Sequence, residues 1–183
     1  NKMPYSFDIY CSTNDSNDKD RITKEFEKIK NVKKVIVKYT KNIGRDYAPM
    51  VCEFGKNLKK YDYVCHIHTK KSLRTGASQD GWRLHLLDGV LGKTDLIKNI
   101  FYMFENDNIG IYFPDSHISA PYWSNTWMGA RSLGVKYLSI LGIPFEDKYQ
   151  DFSVGSMFWI NVKAMHQIFN RTWKYEEFGK EKG

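Results

Sequence analysis

Along the chain the spacing of apolar residues switches repeatedly between two and roughly three and a half, and those switches mark the elements. Residues 5–11, YSFDIYC, alternate and are rich in β-formers, which predicts a strand. The polar run STNDSNDKD that follows carries Asp and Asn suited to begin a helix, expected over about 20–30. VKKVIVKY at 32–39 predicts a second strand. The turn NIGRD at 42–46 leads into YAPMVCEFGKNLKKY, where Ala48, Val51, Cys52, Phe54 and Leu58 fall on helical spacing. Pro49 sits in the first turn of that expected helix, where its missing N–H costs nothing. DYVCHIH at 62–68 predicts a third strand. Strand, helix, strand, helix, strand with short links is the pattern of a mostly parallel sheet covered by helices, so the class is α/β.

Beyond a polar loop at 72–81, helices are expected at about 82–91 and 94–106, separated by Gly92 with Thr94 as cap. NIGIYFP at 108–114 predicts a fourth strand, and the aromatic-rich loop SHISAPYWSNTW leads to a helix near 129–141. FSVGSMFWI at 152–160 predicts a fifth strand, followed by a short helix at 162–169, and the charged tail KYEEFGKEKG is expected to fray. There is no internal repeat or low-complexity segment, and 183 residues with 42% hydrophobic content predict a single domain, 1–183, with a proper core.

Composition narrows the function classes. No apolar run approaches the roughly 18 to 20 residues of a membrane span, and no basic-then-apolar leader is present. The first residue is Asn rather than Met, so a piece of a longer chain is expected. Three cysteines, Cys11, Cys52 and Cys65, show no paired spacing and two lie in apolar runs, which suits a reducing, cytoplasmic setting. A net charge of +7 fits an anionic partner: nucleic acid, a phosphorylated small molecule or an acidic membrane surface. The basic residues are spread rather than blocked, and ordinary helix surfaces account for many of them.

In open α/β sheets ligands collect at the carboxyl ends of the strands. Three polar clusters are expected there: NIGRD after the second strand, HIHTKKS at the end of the third and PDS after the fourth. Gly44 suits a backbone conformation that other residues resist, Arg45 offers a planar fork of donors for phosphate or carboxylate, and Asp46 would start the next helix. A plain turn and cap would account for the same residues. His66 and His68, two apart on a strand, project to one face, where they can share a metal ion or both donate to phosphate oxygens. Thr69, Lys70 and Lys71 add a hydroxyl and two positive charges at once. A His-x-His metal site needs a third ligand; His85, His117 and Asp115 are available without diagnostic spacing, and adjacent lysines repel a divalent cation. An anion-holding role is favoured over a metal-holding one.

NIGRDYAPM, YDYVCHIHTKKS, GWRLHLLDGVLG and FSVGSMFWINVKAM, taken together and in order, resemble the rhamnan synthesis protein F family of bacterial surface-polysaccharide assembly, from about Phe7 to the end of the chain. That family in turn resembles glycosyltransferases of the GT-A fold, which take a sugar from a nucleotide-diphosphate donor. The resemblance implies that His66-x-His68 stands where many such enzymes carry an Asp-x-Asp pair for Mg²⁺ or Mn²⁺, so a divalent metal is not favoured as cofactor. Lys70, Lys71 and Arg45 would then neutralise the departing diphosphate. Asn42, Gly44 and Ala48 match an Asn-x-Gly-x-x-x-Ala stretch near the donor. Trp82 and Arg83 belong to the family pattern, and Gly155, Ser156 and Phe158 match a strand beside the acceptor side of the cleft, for which core packing is an equal reading. The resemblance also implies that the first strand of the fold is missing, the stretch SFDIYCSTND being similar to the second. For the catalytic base Asp151 and Asp115 are the in-chain candidates.

The expected function is therefore a glycosyltransferase domain with a nucleotide-diphosphate sugar, dTDP-rhamnose being one candidate, as donor. A growing, lipid-linked glycan is the expected acceptor, with peripheral contact to anionic membrane at the inner face of the plasma membrane. A His-metal phosphoesterase, motivated by His66 and His68, is the enzymatic alternative. A nucleic-acid-binding module ranks third, because no such signature stands out, and nucleic acid is not expected as a partner.

Overall fold

The computed structural model describes residues 2–69, 79–118, 120–147 and 151–179. Strand β1 (Phe7–Thr13) is followed by helix α1 (Lys19–Glu27) and strand β2 (Val32–Tyr39). β1 and β2 pair in parallel, from Phe7 opposite Val32 to Thr13 opposite Tyr39. A π-helical turn, Pro49–Glu53, runs into the short helix α2 (Gly55–Leu58) and then strand β3 (Tyr63–His66). Helices α3 (Gln79–Leu91) and α4 (Thr94–Asn106) precede the two-residue strand β4 (Ile111–Tyr112). Helix α5 (Arg131–Leu141), strand β5 (Phe158–Asn161) and helix α6 (His166–Asn170) complete the order.

The class is α/β, as the periodicity predicts, but the strands form two sheets rather than one mostly parallel sheet. The second has the order β3-β5-β4, with β5 antiparallel to both neighbours. The reason lies in β5: Phe158, Trp159 and Ile160 are all buried, and a continuous apolar run signals two covered faces without encoding strand direction. Trp159 packs with Leu86, Val90, Ile97, Ile100 and Phe104 of α3 and α4, while Phe158 and Ile160 pack with Phe54, Leu58, Val162 and Phe169 on the opposite face. The Trp159 indole N–H donates to the Val90 carbonyl at 2.9 Å, so the polar handle of this buried ring is satisfied.

Four local expectations are corrected. The single helix expected from residue 48 is split into the π turn and α2, with Phe54 (φ −114°) between them ahead of Gly55. The fifth strand starts at Phe158 rather than 152, because Gly155 (φ +103°) and Ser156 (φ +59°) take left-handed backbone and turn residues 153–156 back on themselves. Thr94 opens α4 rather than capping it; its hydroxyl donates to the Lys2 carbonyl at 2.9 Å. The tail is held through Gly179 rather than frayed: Lys174 N–H donates to the Glu177 carboxylate at 2.8 Å, and Phe178 stacks on Tyr137 at 6.4 Å. Among the described residues no helix is long and apolar enough to cross a membrane.

Candidate functional site

The loop after β2 is shaped by two consecutive left-handed residues, Gly44 (φ +69°) and Arg45 (φ +54°). A Cβ at position 44 would fall 2.5 Å from the Ala48 Cβ and 2.8 Å from that of Phe178, so close approach as well as φ demands glycine. The Gly44 carbonyl accepts from Ala48 N–H at 3.2 Å, starting the turn that carries Asp46 and Tyr47 toward the end of β3.

There His66, only 9% exposed, packs in a triangle of rings with Tyr47 at 5.7 Å and Phe158 at 5.0 Å, their planes inclined to it by 17° and 27°. Its Nδ1–H donates to the Ser156 carbonyl at 2.7 Å, leaving Nε2 at 3.8 Å from the Asp46 carboxylate. Burial pushes the His66 pKa below its ordinary value, and the neighbouring Asp46 charge only partly opposes this. The ring is therefore neutral near pH 7 and contributes no cation. His68 Nε2–H donates to the Gly155 carbonyl at 2.7 Å. The two histidines thus share a face, as their i, i+2 spacing predicts, and latch the strained Gly155–Ser156 turn to the end of β3. Both spend a ring nitrogen on a backbone carbonyl, and among the described residues no group of three His, Cys, Asp or Glu is placed to hold a metal ion.

Helix α3 brings Trp82 against the same turn: a Cβ at Gly155 would lie 3.2 Å from the Trp82 indole nitrogen and 2.5 Å from Leu86 Cδ1. Asn42, Arg45, Asp46, His66, His68, Trp82, Arg83, Gly155 and Ser156 all line one cleft, of about 3060 Å³, joined by Tyr47 and Thr69. Among the described residues, four polar atoms of this lining are buried without a hydrogen-bond partner: Asp46 Oδ2, His68 Nδ1, Trp82 Nε1 and Arg83 Nε. Leaving such an atom unmatched costs about 1–3 kcal/mol, so four on one cleft mark a place built to meet something else.

The whole span, residues 1–183, matches the family described as rhamnan synthesis protein F. The chain belongs to that family. It is also similar to two proteins from two strains of Xanthomonas campestris pv. campestris, both bearing the name uncharacterized protein WxcX. One is 27% identical over 146 residues and the other 28% over 147, each alignment covering 78% of this chain and 20% of the relative. The matched span is thus about a fifth of those relatives' length. No solved structure matches. The family's description connects this rhamnan synthesis protein F chain with polysaccharide synthesis.

Placed residue by residue, the expected site of this rhamnan synthesis protein F chain converges, with exceptions. Gly44 and Phe158 support the cleft from behind rather than lining it. Asp115 and Asp151 are exposed and do not line it; the Asp115 carbonyl instead accepts from His85 Nε2–H at 2.9 Å. Lys70 and Lys71 lie outside the described residues. Sequence reasoning missed Tyr47, the ring that covers His66. Its signal was available: an aromatic beside Asp46 in the first turn after a left-handed loop has to lie against whatever the loop serves.

Proposed function

We propose that this chain forms the donor-binding part of a GT-A-like glycosyltransferase, moving a sugar from a nucleotide-diphosphate donor to a cell-surface polysaccharide, with rhamnose one candidate sugar. The observation that carries this reading is the set of unmatched polar atoms around the Gly155–Ser156 turn. Trp82 Nε1–H and Arg83 Nε–H are donors, joined on the rim by the exposed Arg45 guanidinium, and such donors suit the oxygens of a diphosphate. Asp46 Oδ2 and, in the tautomer fixed by Gly155, His68 Nδ1 are acceptors suited to sugar or ribose hydroxyls. A nucleotide sugar presents both needs within one molecule. Lys70 and Lys71, directly after the cleft residue Thr69, would add the charge that stabilises the leaving diphosphate, the work given elsewhere to a cation.

Transfer also requires a group to take the acceptor hydroxyl's proton as its oxygen bonds to the anomeric carbon and the sugar–diphosphate bond breaks. With Asp115 and Asp151 off the cleft lining, His68 and Asp46 hold the bare acceptor atoms in place for it. The family description, which names rhamnan synthesis, supports the class of product. Calorimetric titration with UDP, GDP and dTDP, with and without Mn²⁺, tests the reading. One diphosphate is expected to bind without added metal, and Arg45→Ala to weaken it about tenfold, as for loss of one charge-assisted hydrogen bond. No heat with any of the three would overturn it.

A further inference from the structure

The loop that carries Arg45 and Asp46 is held from behind as well as from the front. On its cleft side Asp46 faces His66 across 3.8 Å, and Tyr47 packs on the same ring. On the other side stands Phe178, which does not line the cleft. A Cβ at Gly44 would fall 2.8 Å from the Phe178 Cβ and 2.9 Å from its Cγ, so the backbone of the loop rests directly on that side chain. Gly44 and Arg45 are both left-handed, at φ +69° and +54°, and at a non-glycine residue such backbone persists only where the surroundings impose it. The loop's own backbone hydrogen bonds run from Ile43 N–H to the Lys41 carbonyl at 2.9 Å and from Ala48 N–H to the Gly44 carbonyl at 3.2 Å. They close its two ends and leave Arg45 to be fixed by what packs around it.

Phe178 is itself anchored. Its ring meets Tyr137 of α5 at 6.4 Å and Trp173 at 5.9 Å, and those two rings lie 6.0 Å apart, closing a triangle. The Tyr137 hydroxyl donates to the Glu177 carbonyl, the Trp173 indole N–H to the Ile168 carbonyl at 2.8 Å, and the Phe178 N–H to the Tyr175 carbonyl at 3.1 Å. The Glu177 carboxylate accepts from Lys174 N–H at 2.8 Å and from the Arg171 guanidinium. The segment from Arg171 to Phe178 thus ties α5 and α6 to the back of a loop whose own strand, β2, has a single buried residue, Val37.

We propose that Phe178 is a positioning residue for ligand binding: by bearing on Gly44 it keeps Arg45 left-handed and so holds the guanidinium on the cleft rim. It touches no ligand. Without the ring, Arg45 returns to the right-handed or extended backbone that a residue with a Cβ favours, its Cα–Cβ bond points elsewhere, and the guanidinium leaves its place. The consequence for affinity rests on the donor-binding reading above; the consequence for the loop does not.

The test compares the unaltered chain with Phe178→Ala, Phe178→Leu, Arg45→Ala and the variant carrying both alanines. Leucine retains the two atoms nearest Gly44, Cβ and Cγ, whereas alanine retains only Cβ. Amide hydrogen exchange without nucleotide reads the loop at Ala48, which is 0% exposed and whose N–H closes the turn. Phe178→Ala is expected to speed exchange there about tenfold or more with the β5 amides unchanged, and Phe178→Leu to return it to within about threefold. Calorimetric titration with dTDP, UDP and GDP reads the consequence. For whichever diphosphate binds the unaltered chain, Phe178→Ala should weaken it about tenfold, as Arg45→Ala does, and the double variant no further, because both changes remove the same contact. Losses that multiply in the double variant would show that Phe178 acts apart from Arg45 and overturn the proposal, as would unchanged exchange at Ala48 or an equal acceleration in β5. If none of the three binds the unaltered chain, the donor reading falls by itself, and the Ala48 amide still decides whether Phe178 sets the loop.

Discussion

The two sheets of this protein are built to different standards. In the β3-β5-β4 half, β5 is buried on both faces and its Trp159 is locked between two helices by packing and a hydrogen bond to Val90. Among the residues of β1 and β2 themselves only Val37 is buried, and no residue of β1 is. One half has a finished core; the other has strands whose free edge and partly open side chains face the cleft. The candidate site straddles the join, taking Asn42 to Tyr47 from the loose half and His66, His68, Trp82 and the Gly155–Ser156 turn from the firm one. Stability and ligand geometry are thus concentrated on one side, and adaptability on the other.

Truncating the firm half should do the most damage. Trp159→Ala is expected to cost about 3–5 kcal/mol in chemical denaturation, against about 1 kcal/mol for Val35→Ala in β2. Equal costs for the two would break the comparison. Next comes the turn at the join: Gly155→Ala forces a side chain into φ +103° and against Leu86 Cδ1, and should cost about 1–3 kcal/mol. A neutral result would show that the turn is not held where the two histidines place it.

The smallest effect is a pH dependence. His66 has a folded pKa lowered by burial, so its contribution to stability is present above the unfolded value of about 6.5 and is lost as pH falls through the folded value. Below pH about 6.5 the unfolded chain binds the extra proton and the folded one resists it, giving a slope of at most about 1.4 kcal/mol per pH unit. His66→Gln should remove that slope from denaturation midpoints measured between pH 7 and pH 5. An unchanged slope would contradict the assignment of this titration to His66, since the loose half contains no histidine.

Much of this was legible in the sequence. β1, β2, α4 and β3 were found because their apolar spacing is regular, and the cleft residues because polar clusters follow strand ends. The antiparallel entry of β5 was hidden, since Phe158, Trp159 and Ile160 face two cores and carry no directional pattern. The turn at 153–156 was hidden too: Gly155 hints at it, but the left-handed Ser156 is imposed by contacts from His66, His68 and Trp82, all distant in the chain. The burial of His66 was hidden for a related reason, because residue type gives a nitrogen but not its surroundings. Asp46, which follows Gly44 and Arg45, lines the cleft, whereas Asp115, in the PDS cluster after the fourth strand, and Asp151, ahead of the fifth, do not.

The central claim is that the unmatched donors at the join meet a nucleotide diphosphate, and the indole N–H of Trp82 reports on it directly. In ¹⁵N-labelled protein, with the Trp82 resonance identified by its loss in Trp82→Phe, titration with dTDP, UDP and GDP should shift that resonance for at least one of them. The Trp159 indole, already bonded to Val90, should stay in place. A Trp82 resonance unmoved by all three, or one that moves only together with Trp159, would contradict the account.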